Sequence, residues 1–152
     1  MEKAIGEVVV PFLRDRGFKG SLPHFRRIGA SRIDLISFQT YSSGGSFAVN
    51  LATCPADGVV HPWGKVVPPG KVTAYDVMPR RRLGGLGHGD YWFVYGKPNY
   101  ESGHELVESP ERYARVAEQV RLMLDQEGES YWASAAQHAA AADDRPQAGD
   151  RG

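Results

Sequence analysis

Residues 32–53 constrain the fold more than any other stretch, because their pattern predicts two β-strands joined by a tight turn. The first arm, residues 33–41, is rich in β-branched and aromatic residues, which favour strands. The second arm, residues 47–52, alternates apolar residues with alanine and asparagine, the period of a half-buried strand. Residues 42–46 include two glycines, which supply the positive φ angles of tight turns. A hairpin alone is not stable in water, so the rest of the chain must add strands and a helical cover.

Two amphipathic segments supply the helices. The first spans residues 2–16, where apolar residues recur at helical spacing, and Gly17 is suited to end it. The second begins at residues 109–111, where serine caps, proline suits the first helical position and glutamate suits the positive end of the helix dipole. We expect this helix to end at Gly128 and a final turn to pack on the body through Tyr131 and Trp132.

Further strands are predicted over residues 25–28, 71–78 and 90–95, the last as a strand buried on both faces. Residues 54–70 are dense in proline and glycine, which predicts an irregular loop that packs back on the body. Three arginines lie on or beside the strand 25–28, and we expect solvated charges on its outer face: Arg26, Arg27 and Arg32.

The order of these elements is helix, several strands, helix, without βαβ crossovers. It predicts an α+β fold: a mostly antiparallel β-sheet with the N-terminal and C-terminal helices packed on one face. We expect a single domain over residues 1–134. Residues 135–152 are rich in alanine and then in polar residues and proline, so they lack the apolar content that offsets ordering. They are expected to form a disordered or weakly helical tail.

The composition limits the class of protein and the cellular compartment that we expect. Among 152 residues, 18 lysines and arginines balance 18 aspartates and glutamates, which argues against a dedicated nucleic-acid binder. The single cysteine, Cys54, excludes an internal disulfide framework and favours a reducing compartment. No apolar run reaches the length of a membrane span, and the first residues lack a signal-peptide profile. We therefore expect a cytoplasmic protein with no membrane contact that is not a dedicated nucleic-acid binder.

The arginine triplet (Arg80, Arg81 and Arg82) is the first candidate binding site, together with His88 in the glycine-rich segment after it. Guanidinium groups make bidentate contacts to phosphate and carboxylate. The alternative is a solvated turn in which one arginine pairs with a carboxylate at the sheet edge. The glycine-rich segment lacks the Gly-Lys-Ser/Thr ending of a P-loop, and it does not join a convincing strand to a helix as a dinucleotide site requires.

Four further residues are candidates for binding. Gln39 and Asn50 lie on the two arms of the hairpin, either as polar groups for a ligand or as a hydrogen-bonded pair that fixes the register; we favour the structural interpretation. Trp63 and Trp92 would form a binding patch if they lay exposed beside the arginines, because Trp, Tyr and Arg dominate interface energetics.

Catalytic and metal chemistry have weaker support. The five histidines do not pair at helical spacing, and a metal site needs three or four converging ligands, so we expect no metal and no cofactor. Cys54 and His61 would need an orienting acid and an oxyanion hole to act as a nucleophilic pair. Only Asp57 lies nearby in the sequence. We interpret Cys54 as a small buried apolar residue.

Several short motifs occur together along most of this chain: Leu13-x-x-x-Gly17-Phe18-Lys19, Phe25-Arg26-Arg27, Ile36-x-Phe38-Gln39, Phe47-x-Val49-Asn50-Leu51, Arg82-Leu83-Gly84-x-Leu86 and Tyr91-Trp92. Their order and spacing resemble the bacterial family DUF4304, a domain of unknown function. Residues 54–70, residues 87–89 and the tail depart from the pattern. The resemblance supports the fold and implies a bacterial protein, and it brings no established activity.

The most economical hypothesis is a non-catalytic module that binds another protein, with an immunity or antitoxin-like role as one form. We do not expect an enzyme. The alternative is an enzyme that binds a small molecule or nucleotide through the arginine triplet and His88. Weak nucleic-acid binding would require Arg26, Arg27, Arg32 and the triplet to share one face.

Overall fold

The computed structural model describes residues 1–86, 89–96 and 108–135. Five strands form the main path of one sheet, in the order β1-β2-β3-β4-β7, and β8 also pairs with β4. Every pair in this sheet is antiparallel. A separate two-stranded ribbon consists of β5 and β6. The strands are β1 (Lys19–Ser21), β2 (His24–Ile28), β3 (Arg32–Thr40), β4 (Ser46–Pro55), β5 (Val59–Val60), β6 (Val66–Val67), β7 (Arg81–Arg82) and β8 (Phe93–Val94).

The predicted hairpin is the centre of the sheet. It consists of β3 and β4, which pair over their whole length from Arg32 opposite Pro55 to Thr40 opposite Phe47. Gly44 and Gly45 in the turn both have positive φ angles. The hairpin prediction is therefore confirmed, and β4 extends farther than expected.

Both predicted helices are present. Helix α1 (Glu2–Asp15) ends at Gly17, which has a φ of 87°, and the Phe18 N–H donates to the Leu13 carbonyl 2.9 Å away. This is the hydrogen-bond pattern of a glycine-terminated helix. Helix α2 (Pro110–Met123) begins as predicted, since the Ser109 hydroxyl accepts a hydrogen bond from the Arg112 N–H.

The predicted end of the second helix at Gly128 is wrong. One π-helical turn (Leu124–Gly128) follows α2, and the chain remains helical through residue 135. Because Gly128 lacks a side chain, the Trp132 ring packs against it; an added Cβ would lie 3.1 Å from that ring. The docking prediction for Trp132 is confirmed, because its side chain is buried and its indole N–H donates to the Ala52 carbonyl at 3.1 Å.

The sheet is covered on both faces. On the helix face, α1 and α2 pack on alternate residues of the central strands, including Phe38, Phe47 and Leu51. On the opposite face, which we call the loop face, Leu35 and Ala52 pack under side chains from residues 59–77. The prediction that the second arm of the hairpin is half-buried is therefore wrong, because an irregular segment covers its second face.

Three other local predictions need correction. Residues 71–78 do not form a strand: they contain a single 3-10 turn (Ala74–Asp76), and Asp76 accepts a hydrogen bond from the Thr73 N–H. Within the segment predicted as a doubly buried strand, only β8 is a strand, and Val94 is half-buried. Residues 54–70 include the β5–β6 ribbon, and residues 54 and 55 lie in β4.

The protein is thus an α+β fold with both helices packed on one face of an antiparallel sheet. Within the described residues, no helix is long and apolar enough to cross a membrane. The tail predicted for residues 135–152 lies outside the described residues except for Ala135, which is helical. The single domain over residues 1–134 stays a prediction.

Candidate functional site: an arginine-lined cleft

A cleft of about 1220 Å³ lies along the outer edge of β4. We call it the arginine cleft, because all three residues of the arginine triplet line it. Its walls come from the hairpin, from residues 75–82, from residues 89–90 and from the end of the C-terminal helical segment. The remaining lining residues are Gln39, Asn50, Thr53, Tyr75, Val77, Met78, Pro79, Gly89, Asp90, Tyr131, Ser134 and Ala135.

The triplet is held in place by the buried residue that follows it. β7 pairs with β4 so that Arg82 lies opposite Asn50 and Arg81 lies opposite Leu51. Leu83 is fully buried, and its N–H donates to the Val49 carbonyl at 2.9 Å. Since Leu83 fixes the backbone, the two arginine side chains start from a defined edge of the sheet.

Each guanidinium of the triplet lies over an aromatic ring. Arg80 lies 5.5 Å from the ring centroid of Tyr75, Arg81 5.6 Å from that of Tyr131, and Arg82 5.1 Å from that of Trp92. Such contacts orient an arginine and leave most of its N–H donors available. The rings therefore fix where the charges lie without neutralising them.

Two donors of the triplet are buried and have no acceptor among the described residues: Arg81 Nε and Arg82 Nη1. Within the described residues, Arg82 Nη2 forms an ion pair with the exposed Asp90, at 3.1 Å. A buried donor without a partner costs about 1–3 kcal/mol.

Gln39 and Asn50 form a hydrogen-bonded pair, and both also line the cleft. They are diagonal neighbours in the hairpin, since Gln39 pairs with Ala48 and Asn50 with Ser37. The Asn50 Nδ2 donates to Gln39 Oε1 at 3.2 Å, and both side chains line the cleft. The amide pair thus links the two strands and also supplies polar groups to the cleft wall.

The cleft carries local positive charge in a chain whose formal net charge is zero. Among its described lining residues, three arginines face one carboxylate, that of Asp90. Burial raises the pKa of Tyr131, and the nearby Arg81 guanidinium opposes this shift only in part. The phenol of Tyr131 is therefore neutral at physiological pH. The cleft offers cations and neutral hydrogen-bonding groups, a combination suited to an anionic ligand.

The structure brings five of the predicted site residues to the cleft: Arg80, Arg81, Arg82, Asn50 and Gln39. Trp92 lies beside them under Arg82 and donates its indole N–H to Asp90 Oδ2 at 2.9 Å. Trp63 is elsewhere, in the connection between β5 and β6; it is 73% exposed and stacks on His61 at 4.4 Å. His88 lies outside the described residues. Tyr75 and Tyr131 also line the cleft, and only contacts between distant segments reveal them.

The prediction of solvated charges at Arg26, Arg27 and Arg32 is wrong. The Arg27 guanidinium donates to Asp34 at 2.7 Å and to Glu129 at 2.8 Å, and it lies over the rings of Phe18 and Trp132, which contact each other. Arg32 also donates to Asp34, at 2.8 Å. The Arg26 Nε donates to the carbonyl of Val72 at 3.0 Å. These arginines hold the fold together.

Cys54 is held by burial, and His24 and His61 have side-chain partners within the fold. Burial is the main cause that raises the pKa of Cys54 to about 11, so its thiol is protonated at neutral pH and is a poor nucleophile. His24 contacts the Ser37 hydroxyl at 2.8 Å, and its pKa is lowered, mainly by burial. His61 contacts Asp76 at 3.1 Å. In the described part of the chain, no group of three or more metal-binding side chains is close enough to hold an ion.

The fold and the cleft define a small α+β domain whose sheet is covered on both faces and whose outer edge presents a cationic cleft. The family model for the domain of unknown function DUF4304 matches residues 9–134. The chain belongs to this family, and the resemblance stated above is confirmed. No curated protein and no solved structure matches the chain.

Proposed function

We propose that the protein is a non-catalytic interaction module that holds an acidic segment of a partner protein in the arginine cleft. The observation that carries this proposal is the excess of cations in the cleft, where three guanidinium groups face one carboxylate, that of Asp90, among the described lining residues. A carboxylate accepts two parallel N–H bonds from one guanidinium. An acidic side chain in the cleft would therefore pair with positive charge that the described lining balances only in part.

The size and rim of the cleft favour a polypeptide. Its volume of about 1220 Å³ exceeds the roughly 300–1,000 Å³ of common small-molecule pockets. Tyr75 and Met78 line it and are exposed, at 44% and 76%. Arginine and tyrosine are enriched among the residues that dominate binding energy in protein interfaces. These features are those of a groove that takes up an extended segment.

The chemistry of the lining favours binding over catalysis. An arginine stays protonated throughout the physiological range, so it supplies charge and hydrogen bonds and does not exchange protons with a substrate. The Asp90 carboxylate is exposed and already engaged by Arg82 and Trp92.

A second candidate is a small phosphorylated molecule, including a nucleotide, as the ligand of an enzyme. It is favoured by the register of β4 and β7, which places the Asn50 amide opposite Arg82 on the cleft wall. A guanidinium beside an amide suits a compact anion with several oxygens. Nucleic acid is less well supported, because Arg26, Arg27 and Arg32 are engaged inside the fold.

The single cysteine, the composition and the family together favour action in a bacterial cytoplasm, as part of the same proposal. An immunity or antitoxin-like role, in which the partner is a toxin, is one form that this binding could take.

The test compares two labelled peptides by fluorescence polarisation: one with a run of glutamates and one in which glutamine replaces every glutamate. The proteins are the wild type, Arg81→Gln, Arg82→Gln and the control Arg115→Gln, which alters an exposed arginine of α2 outside the cleft. We expect the wild type and the control to prefer the glutamate peptide. Each cleft variant should lose about tenfold in affinity, because a hydrogen bond to a charged group contributes roughly 1.5–3 kcal/mol.

Competition separates the two candidates. Pyrophosphate and ATP are added to the wild type with the labelled glutamate peptide bound. Displacement at concentrations far below those of unlabelled peptide would favour the small phosphorylated ligand. If the glutamate and glutamine peptides bind equally well, or if the cleft variants behave like Arg115→Gln, the interaction proposal fails.

A further inference from the structure

A second cavity adjoins the arginine cleft and has different walls. It measures about 510 Å³ and lies where the start of α1 meets the end of β3 and the start of β4. Its walls are mostly apolar and include Ile5, Leu22, Phe38, Phe47 and Tyr95. The aromatic rings pack on one another, since Phe47 lies 6.0 Å from Phe38 and 6.2 Å from Tyr95 between centroids. We call this cavity the apolar pocket.

The two cavities share part of their lining. Gln39 and Tyr75 line both the arginine cleft and the apolar pocket. Gln39 is fixed by its hydrogen bond from Asn50, and Tyr75 packs edge-on against His24 at 5.6 Å. Because the shared residues form a common boundary, a ligand in one cavity reaches the other within a short distance.

The two cavities differ in charge. The described lining of the arginine cleft has three cations and one carboxylate, whereas the lining of the apolar pocket includes the Glu2 carboxylate and Met1, whose α-amino group carries the opposite charge. An acidic group is therefore attracted to the cleft and gains no comparable attraction in the pocket. A large apolar group gains from burial against the aromatic walls of the pocket. A ligand with both kinds of group would therefore bind in one direction only.

We infer that the apolar pocket binds a large apolar side chain of the same segment whose acidic residues occupy the arginine cleft. This inference rests on the proposed function and states its specificity: the partner segment combines acidic residues with a nearby aromatic or branched aliphatic anchor. The arginines supply charge recognition, and the pocket supplies the buried anchor that interface binding energy depends on. Gln39 and Tyr75 contact the peptide between the two.

The test uses labelled peptides with a run of glutamates and one phenylalanine placed progressively farther from it on either side. Each peptide has a partner in which serine replaces the phenylalanine. We expect at least one spacing at which the phenylalanine peptide binds the wild type about tenfold more tightly than its serine partner, the order expected for burying an aromatic side chain.

Thr40→Trp tests the location. Thr40 lines the apolar pocket and is exposed at the end of β3, where an aromatic residue suits a strand. The introduced ring should fill the pocket mouth, abolish the gain from phenylalanine and leave the preference for glutamate over glutamine unchanged. Thr40→Ser is the matched control and should keep both. The urea midpoints of the two variants should match that of the wild type.

The outcomes separate this inference from the proposed function. If glutamate is preferred but phenylalanine gives no gain at any spacing, the apolar-anchor inference is overturned and the interaction proposal stands. A gain that survives in Thr40→Trp also overturns it, since the anchor would then bind elsewhere. Loss of the glutamate preference itself would overturn both.

Discussion

Two groups of arginines in this molecule differ in the partners of their side chains. Arg27 donates to two carboxylates and lies over two aromatic rings. Arg81 and Arg82 lie over single rings and retain buried donors without an acceptor among the described residues. Both groups come from runs of adjacent arginines in short strands. Sequence context alone does not distinguish an arginine with structural carboxylate partners from one that lines the cleft.

The difference comes from the register partner. Arg27 on β2 lies opposite Asp34 on β3, whose side chain is only 4% exposed. Arg82 on β7 lies opposite the neutral Asn50 on β4, and Arg81 lies opposite Leu51. One neighbouring strand supplies a buried carboxylate, and the other does not. The neighbouring strand therefore supplies no carboxylate to Arg81 or Arg82, and we propose that a ligand supplies one.

The largest expected effect is the loss of stability in Arg27→Met. The substitution removes the main partner of Asp34 and the cation over the rings of Phe18 and Trp132. Breaking a buried ion pair from one side costs about 3–5 kcal/mol. We expect a decrease of about 3 kcal/mol in the free energy of unfolding, because Arg32 still pairs with Asp34. Urea denaturation followed by tryptophan fluorescence measures it.

The control for this prediction is Arg115→Met at an exposed position of α2, where a change within about 0.5 kcal/mol is normal. If Arg27→Met were no less stable than this control, Arg27 would not be the structural member of the comparison.

A pH dependence should mark the structural group. Hydrogen bonds from Arg27 are the main cause that lowers the pKa of Glu129, and burial opposes them. The Glu129 carboxylate therefore stabilises the fold fully at pH values above its ordinary pKa of 4.5. This contribution is lost as the pH falls through the lower pKa that Glu129 has in the folded state. The side chain is 40% exposed, so solvent screening limits the contribution to about 1 kcal/mol.

Urea titrations of the wild type and Glu129→Gln over a pH series check this. The variant should be less stable at neutral pH, and the gap should shrink as the pH falls below 4.5. A gap that is constant across the series would show that the carboxylate's charge does not carry the effect.

The cleft arginines should respond differently. Arg81→Met and Arg82→Met each remove a buried donor that lacks an acceptor in the described structure. Replacing such a group by an apolar one of similar shape is nearly neutral or stabilising. We expect the free energy of unfolding to stay within about 0.5 kcal/mol of the wild type or to rise. A loss as large as that of Arg27→Met would mean that the triplet is structural too.

The central elements of the fold are predictable from the sequence because their signals are local. The hairpin, the helix end at Gly17 and the helix start at Ser109 each depend on residues close together in the chain. The prediction of a helix end at Gly128 is wrong because it used only this local signal. A glycine normally favours a helix end, but here it makes room for the Trp132 ring. Residues 71–78 alternate like a strand, yet they cover the loop face through Val72 and Ala74.

The site is predictable only in part. The arginine triplet and the two amides are visible as residue types, and the structure brings them to one cleft. The role of Arg27 is not visible, since its partner Glu129 is 102 residues away. The sequence also gives no sign that the triplet lacks a carboxylate opposite it, because that depends on the pairing of β7 with β4.

The smallest expected effect concerns Asp90, the one carboxylate among the described lining residues of the cleft. It pairs with Arg82 Nη2 at 3.1 Å and is 62% exposed, so the pair contributes little to stability. In Asp90→Asn, the side-chain oxygen can still accept the Trp92 indole N–H, but the negative charge is gone. We expect the glutamate peptide to bind two- to threefold more tightly, roughly 0.5 kcal/mol.

The glutamine peptide should bind Asp90→Asn and the wild type equally, because it has no charge for the cleft to attract. Asp15→Asn, at an exposed position at the end of α1, removes the same charge away from the cleft and should leave both affinities unchanged. Equal tightening in Asp15→Asn would mean that the peptide responds to net charge. Tighter binding in Asp90→Asn alone would show that the Asp90 carboxylate competes with the ligand's carboxylate for the arginines of the cleft.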